Sequence, residues 1–363
     1  MMVIALGGEY IFSQELKSGE ELAKSSLPKL PVVEVSGAEL AQPMRAAASF
    51  IESTSATEKA IKDGLAWLAA NQNPDGSWGK DYPVAITSLA GLAFMAGGNL
   101  PDRGEYKDNV RRALEYITSQ QGASGFVNEG NGKKMHSHGY ATLFLAELYG
   151  MVSRDSASTI DLDDLKWRLK KAVNIIESCQ HSSGGWFYYP APSGDENSVT
   201  ITVVQALRAA RNAGIKVNSD VVNRAVAYVK NCSNSDGGIA YSLSDRTSTF
   251  AITAAGVSVL NYLGEYKGEE VQAGLAYLKR AYEDPTPSGK DGYDYYEDFY
   301  AALAFWNSGS EDWVLYFPRI RDELLSEQKP GNFWESPYGD DYATALSTLI
   351  LQIPYRLLPI FQR

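Results

Sequence analysis

The stretch Asn71-Gln72-Asn73-Pro74-Asp75-Gly76-Ser77-Trp78-Gly79 separates two segments of different character, and the rest of the chain is read from it. Before it, AIKDGLAWLAANQ (60–72) places Ile61, Leu65 and Leu68 on one helical face, with Lys62, Asp63 and Asn71 elsewhere. After it, VAITSLAGLAFMAGG (84–98) is apolar on nearly every side, as a helix inside a protein is. Asn73, Pro74, Asp75 and Gly76 end the first helix. Trp78 follows Gln72 by six residues, far enough for the turn to fold back. The indole then covers the helix end while the glutamine amide bonds loose backbone groups.

The same arrangement recurs, and a recurring unit of this length is the mark of a repeat architecture. VRRALEYITSQ is followed by Gly125 and Phe126 and then HGYATLFLAELYG; LKKAVNIIESCQ by Gly185 and Trp186 and then SVTITVVQALRAARNAG. A fourth unit runs VNRAVAYVKNC, Gly237 and Gly238, TSTFAITAAGVSVLNYLG, with Ser233 in the glutamine place. The opening positions 72, 120, 180 and 233 are 48, 60 and 53 apart, one helix pair each. In the fifth unit VQAGLAYLKRAY leads to YEDFYAALAFW through the insert EDPTPSGKDGYDYY; the sixth is PRIRDELLSEQKPGNFW followed by DDYATALSTLIL. Threonine supplies a second register across the inner segments, at Thr87, Thr142, Thr202, Thr253 and Thr344, with Ala301 as the exception.

Six amphipathic helices alternating with six apolar ones suit a closed ring, polar-backed helices outside and apolar ones inside. An open stack needs polar capping units, whereas the last inner helix, ALSTLILQIP, is as apolar as the rest and has to be covered by the first. The expected fold is all-α, a single (α/α)6 toroid over 58–363, preceded by an arm, 1–57. Within the arm LPKLPVV reads as extended and Ala38 to Ile51 as one short helix, with Pro43 in its first turn or two.

Composition narrows the partners. Lys+Arg 33 against Asp+Glu 44 leaves a net charge of -11 with no basic stripe, which argues against nucleic acid. Cys179 and Cys232 are too few for a disulfide framework or a multi-cysteine zinc site and read as packed thiols. No run reaches the roughly 20 apolar residues that span a bilayer, so a soluble chain is expected, with peripheral membrane contact left open. The start, MMVIALGGEYIFSQELK, lacks a basic leader, and cytoplasmic and exported locations both stay open.

QNPDGSW (72–78), QHSSGGW (180–186) and QKPGNFW (328–334) resemble the glutamine-tryptophan repeat of squalene-hopene cyclases and the related repeat of protein prenyltransferase β subunits, over about residues 58 to 355. The resemblance implies a six-pair barrel with a central aromatic-lined cavity, which holds an isoprenoid in the family's enzymes. Class II cyclases protonate an alkene with the middle aspartate of D-x-D-D-T. Aligned on Thr344, only Asp340 falls on an aspartate of that motif; Tyr342 stands in the donor's place and Ala343 in the last aspartate's. The donor slot elsewhere holds Ala85, Tyr140, Thr200, Ala251 and Phe299. A literal Asp161-Leu162-Asp163-Asp164 precedes an outer helix, where carboxylates cap amides and meet the helix dipole. The prenyltransferase zinc needs Asp, Cys and His, and neither KDGYDYYEDFYAALAF nor DDYATALSTL has a cysteine or a histidine. The pairs Cys179 with His181 and His136 with His138 offer two ligands each, too few for a metal site. No metal and no cofactor is expected.

What remains is the rim where inner helices start, which collects His136, His138, Asp195, Glu196, Asp245, Arg246, Asp294, Glu297, Asp298, Asp340 and Asp341. The expected catalytic carboxylates are Asp340, Asp341, Glu297 and Asp298. The expected substrate-binding wall is His138, Tyr140, Tyr296, Phe299, Tyr300 and Tyr342, whose π faces suit an alkene, a carbocation or a sugar ring. The leading expectation is a squalene-cyclase-like toroid binding an isoprenoid or other small apolar ligand, a cyclase or isomerase without the usual acid. Two other classes stay open. One is a non-catalytic binding or scaffold toroid, since a phenol near pKa 10 in the Tyr342 position cannot protonate an alkene; the other is a carbohydrate-active ring of helix pairs.

Overall fold

The computed structural model describes residues 54–128, 134–154, 160–283 and 294–362. Every described residue belongs to one compact unit. The arm expected over 1–57, with its short helix, lies outside the described residues apart from 54–57.

Twelve α-helices run through the described residues: α1 Ser55–Ala70, α2 Pro83–Ala96, α3 Lys107–Ser119, α4 Met135–Met151, α5 Leu162–Ser178, α6 Asn197–Asn212, α7 Ser219–Asn231, α8 Phe250–Tyr262, α9 Glu269–Glu283, α10 Asp294–Ser308, α11 Ser310–Glu327 and α12 Asp340–Gln352. The even-numbered helices form the inner layer. α2 packs on α4, α4 on α6, α6 on α8, α8 on α10, α10 on α12, and α12 returns to α2. The ring is closed, as the sequence pattern predicts. Outer helices sit behind it: α3 on α2, α5 on α4, α9 on α8, α11 on α10 and α1 on α12, while α7 touches both α6 and α8. Burial follows the patterning, with every residue of α2 except Pro83 and Ala85 sequestered, and α3 burying only Val110, Ala113, Leu114, Tyr116 and Ile117.

The turn that joins each outer helix to its inner partner is built the same way each time. Asn73 N–H bonds Ser77 O and Gly76 N–H bonds Asn73 O; the pairs Gly122/Phe126, His181/Gly185, Asn234/Gly238 and Lys329/Phe333 repeat the first of these bonds. The chain turns on a left-handed residue at Gly76, Gly125, Gly184 and Gly237, and on Asn332 in the sixth unit. These glycines press on the backbone of the next outer helix, where a Cβ on Gly184 would stand 2.2 Å from Arg224 O. The glutamine amide ties both sides: Gln72 Nε2 donates to Gly76 O and Asn109 O, Gln121 to Gly125 O and Arg168 O, Gln180 to Gly184 O and Val221 O. The indole N–H of Trp78, Trp186 and Trp334 donates to Leu68 O, Ile176 O and Leu324 O at 2.7–2.8 Å, ten residues back in each case. Each of these last-turn carbonyls also accepts a longer backbone bond of 3.2 Å, from Asn71, Cys179 and Gln328, and the indole supplies the shorter one inside the core.

Two registers read from the sequence are corrected by these bonds. The second turn opens at Gln121, not Gln120, and Val127 takes the place that the spacing gave to Phe126. Two adjacent glutamines and one nearby aromatic made the two settings indistinguishable until backbone pairing chose between them. The hydroxyl that accepts the turn's N–H belongs to Thr87, Thr200, Thr253 and Thr344, at 2.9–3.0 Å. In the second unit His138 Nδ1 accepts it from Val127 N–H at 3.1 Å. Thr142 and Thr202 instead donate to their own helix, at His138 O and Ser198 O, as threonine in an apolar helix does. The slot two residues before the accepting group therefore holds Ala85, His136, Ser198, Ala251 and Tyr342.

Closure is made by polar clasps between first and last units. Gly79 N–H donates to Asp341 Oδ2 at 2.9 Å, Gln328 Nε2 to Ala60 O at 3.2 Å and Gln352 Nε2 to Ala93 O at 3.1 Å. One end of the ring is then covered by the chain's own C-terminal turns, Ile353–Tyr355 and Pro359–Phe361, which reach α4, α6, α10 and α12. Trp306 Nε1 donates to Phe361 O at 2.7 Å, and Glu147 Oε2 accepts from Ile360 N–H at 3.1 Å. The other end, where inner helices begin, is the mouth.

Two outcomes test this scaffold. Gly184→Ala loses about 2–4 kcal/mol in urea unfolding, because its φ of +100° and the Arg224 carbonyl both exclude a side chain. Trp186→Phe loses about 1 kcal/mol by removing the indole bond to Ile176 O, which keeps only the 3.2 Å bond from Cys179 N–H. Burial pushes Glu147 up to about 8 from 4.5, so the folded chain holds a proton there that the unfolded chain releases. Its contribution is complete below pH 4.5 and is lost as pH rises through about 8. Wild type minus Glu147→Gln, followed by melting temperature across this window, isolates that falling slope.

Candidate functional site at the mouth of the ring

Two loops lay tyrosines over the inner-helix starts. Met135 N–H, which opens α4, donates to Tyr188 O, and Asn197 N–H, which opens α6, donates to Tyr241 O, each at 2.8 Å. The two phenol hydroxyls hydrogen-bond one another. Beside them Glu196 caps α6 in extended backbone, only 1% exposed. Its Oε1 accepts from Val199 N–H at 2.7 Å, and its Oε2 from Ser198 N–H at 3.0 Å and Ser198 Oγ–H at 2.7 Å. Ser198 Oγ also lies 2.9 Å from His136 Nε2, and the His136 ring is 5.6 Å from Tyr188. His136, Ser198 and Glu196 thus form one hydrogen-bonded chain, with Tyr241 and Tyr188 along its side.

The protonation states follow from burial. Removal from water pushes the Glu196 carboxyl up, against the bonds it receives from Ser198 and Val199. It pushes half-buried His136 down to about 4, with Lys134 adding to the effect, so the imidazole is neutral at neutral pH and can accept a proton. Tyr241 is raised, first by burial and then by Tyr188 and Glu196, and stays a phenol.

The floor is made by inner helices that face each other across the ring. Tyr140 of α4 and Tyr300 of α10 bring their hydroxyls to 3.5 Å, and Tyr300 O–H donates to Gln205 Oε1 of α6 at 3.2 Å. Tyr140 stands five residues past Met135 and Tyr300 six past Asp294, roughly 8–9 Å below the helix starts at 1.5 Å per residue. The Tyr296 ring lies tilted against Tyr300 with centroids 4.6 Å apart, and Phe299 meets Tyr300 edge-on at 5.4 Å. The Tyr296 hydroxyl has no hydrogen-bond partner among the described residues.

Of the residues expected from sequence, the structure brings together Tyr140, Tyr296, Phe299 and Tyr300, with Tyr342 near enough for its charge to act on Tyr296. His138 is placed otherwise: fully buried, its Nδ1 accepts from Val127 and its Nε2 donates to Ala172 O at 3.0 Å, so both ring nitrogens hold the scaffold. Glu297 acts on Tyr277, and Asp298 on Tyr316 and Tyr282, all on outer helices. That pair faces the outer layer, because a helix turning every 3.6 residues puts positions 297 and 298 away from the face of 296 and 300. Asp341 is the ring clasp, raised by burial against the Gly79 bond. Asp340, beside it, opens α12. Asp161 caps α5 by accepting from Asp163 and Asp164 N–H at 3.0 Å. Glu196, Ser198, His136, Tyr188 and Tyr241 are what the spacing argument passed over. With the register corrected, Glu196-Asn197-Ser198-Val199-Thr200 occupies the D-x-D-D-T frame, and the signal was in the sequence.

Among the described residues no three His, Cys, Asp or Glu side chains are arranged to hold a metal ion. The donor set for a prenyltransferase-type zinc does not fit here: Cys179 and Cys232 are buried at the ends of α5 and α7, and α10 and α12 present carboxylates and tyrosines.

The prenyltransferase α/α toroid domain matches residues 46–284, and the chain belongs to that family. No curated protein matches it in sequence. Among solved structures it is similar to a D-mannose isomerase, at TM-score 0.57 and 13% identity over 83% of this chain and 98% of that one. A mutant reducing-end-xylose-releasing exo-oligoxylanase superposes at 0.56 and 11% identity, over 86% and 95%. The type II terpene cyclase MstE from Scytonema reaches 0.37 and 13%, over 84% and 98%, too loose to argue from. At such identities the likeness is one of fold alone.

Asp341→Ala is expected to cost about 1 kcal/mol in thermal or urea unfolding by freeing the half-buried Gly79 N–H. Asp341→Asn, which keeps an acceptor there, costs less than half as much.

Proposed function

We propose that the mouth binds a compact, hydroxyl-rich ring compound the size of one sugar unit and moves a proton on it. The observation that carries this reading is the Tyr140–Tyr300 hydroxyl contact across the ring. It puts a polar floor where a long isoprenoid chain would need an open, dry channel. Tyrosine faces stack on the C–H faces of a sugar, and the Tyr296 hydroxyl supplies a hydrogen bond that nothing described in the chain takes up. Glu196, whose carboxyl burial pushes up, gives a proton to one ligand oxygen when it carries one; neutral His136 takes one from another; Ser198 between them passes the proton back, so none is consumed. The folds of the mannose isomerase and the exo-oligoxylanase agree with this reading in shape only.

A second reading, an isoprenoid cyclase or isomerase using Asp341, is supported by family membership, by the aromatic wall of Tyr296, Phe299, Tyr300 and Tyr342, and by the raised Asp341 carboxyl. Calorimetry with a monosaccharide panel, and proton NMR in D2O to detect exchange at ligand carbons, separate the two. On the first reading a sugar binds, and Glu196→Gln lowers exchange or turnover about 100-fold. No sugar binding, together with retained or converted squalene in lipid extracts, overturns it in favour of the second.

A further inference from the structure

The closed end of the ring carries a second polar cluster, remote from the mouth. The Arg208 guanidinium of α6 lies 4.3 Å over the ring of Tyr262, the last residue of α8. The Tyr262 hydroxyl stands against the amides of Gln205 and Asn307, and both Tyr262 and Glu147 lie within the field of Arg208. Three donors here lack an acceptor among the described residues: Gln205 Nε2, Arg208 Nη1 and the Tyr262 O–H. Gln205 is fully buried and Tyr262 is 2% exposed. Buried donors are rarely left unmet, so an acceptor belongs in this gap.

We infer that the gap is a binding site for one small monovalent anion of chloride size, held by Arg208 Nη1, Gln205 Nε2 and Tyr262 O–H. The three unmet groups are all donors, and Arg208 has no ion-pair partner among the described residues. The nearby carboxyl, Glu147, accepts the Ile360 N–H and stays neutral to about pH 8, so it does not supply the missing charge. A shallow surface depression lined by Val204, Leu207, Arg211 and Val217 reaches Arg208 from outside, the side from which a small ion would come. Inner helices end here, and their free carbonyls oppose an anion, which keeps the site weak. An ion on Gln205 Nε2 fixes that amide with its Oε1 toward Tyr300. The site thereby steadies the floor of the mouth.

Crystals soaked in sodium bromide test this by anomalous diffraction, with a parallel melting series in sodium bromide and sodium gluconate at equal ionic strength. The expected result is an anomalous peak in contact with all three donors and a saturable rise in melting temperature with bromide alone. Tyr262→Phe raises the half-saturating bromide concentration about 10-fold by removing one buried donor, and Arg208→Gln removes the peak. Binding weakens above pH 8 as Glu147 ionises. Water density without an anomalous peak, equal stabilisation by gluconate, or peaks confined to the surface, an adventitious ion only, overturn the proposal. None of these outcomes depends on whether a sugar binds at the mouth.

Discussion

The ring depends on one turn, in which a left-handed residue lets the chain reverse against the next outer helix while, in three of the turns, an indole N–H bonds a carbonyl in the last turn of the outer helix before it. Both halves of that device bond backbone to backbone or side chain to backbone, so its geometry does not rest on the identity of the residues around it. Repeated, it fixes the angle between outer and inner helix and the step from one pair to the next. A ring closes only if those steps sum to a full circle. Here the last step is finished by Asp341 accepting from Gly79, with Gln328 and Gln352 on either side.

Closure makes the two ends chemically unlike. All inner helices start at the mouth, where free N–H groups and the positive ends of the dipoles gather, and all finish at the other end with free carbonyls. Acidic residues at the mouth therefore have a capping task before any other, and their number alone says little about chemistry. Glu196 differs because its second oxygen reaches Ser198, which reaches His136 on the neighbouring inner helix. At the closed end the opposite polarity suits Arg208, and the C-terminal turns cover it through Glu147 and Trp306.

The architecture was legible because glycine, tryptophan and alternating helix character are local signals that repetition amplifies. The site was less so. A threonine in an apolar helix looks the same whether it accepts a turn N–H besides donating to its own helix, as Thr200 does, or donates to its own helix without accepting one, as Thr202 does. A shift of two or four residues follows, and it moves every inference about the donor slot. His138 shows the cost: counted as a wall residue, it is the group that stands in for threonine in the second turn. Glu297 and Asp298 show another limit, since only packing tells which side of α10 faces inward. The tyrosines were easier, because Tyr140, Tyr296 and Tyr300 keep helical spacing with the inner face whichever register is used.

The corrected register sharpens the chemical argument. A carboxylic acid in a dry pocket can protonate an alkene because nothing else there competes for its proton. In this chain the corresponding slots hold His136 and Ser198, bonded to each other, with Glu196 two residues before the serine. A proton on Glu196 has an oxygen and a nitrogen within reach, both far more basic than a carbon–carbon double bond. Such a set suits the exchange between heteroatoms that we propose, in which the tyrosine floor would hold the ligand by hydroxyl and ring face. The same replacement that takes away the alkene acid thus supplies the parts for chemistry on a hydroxylated ligand.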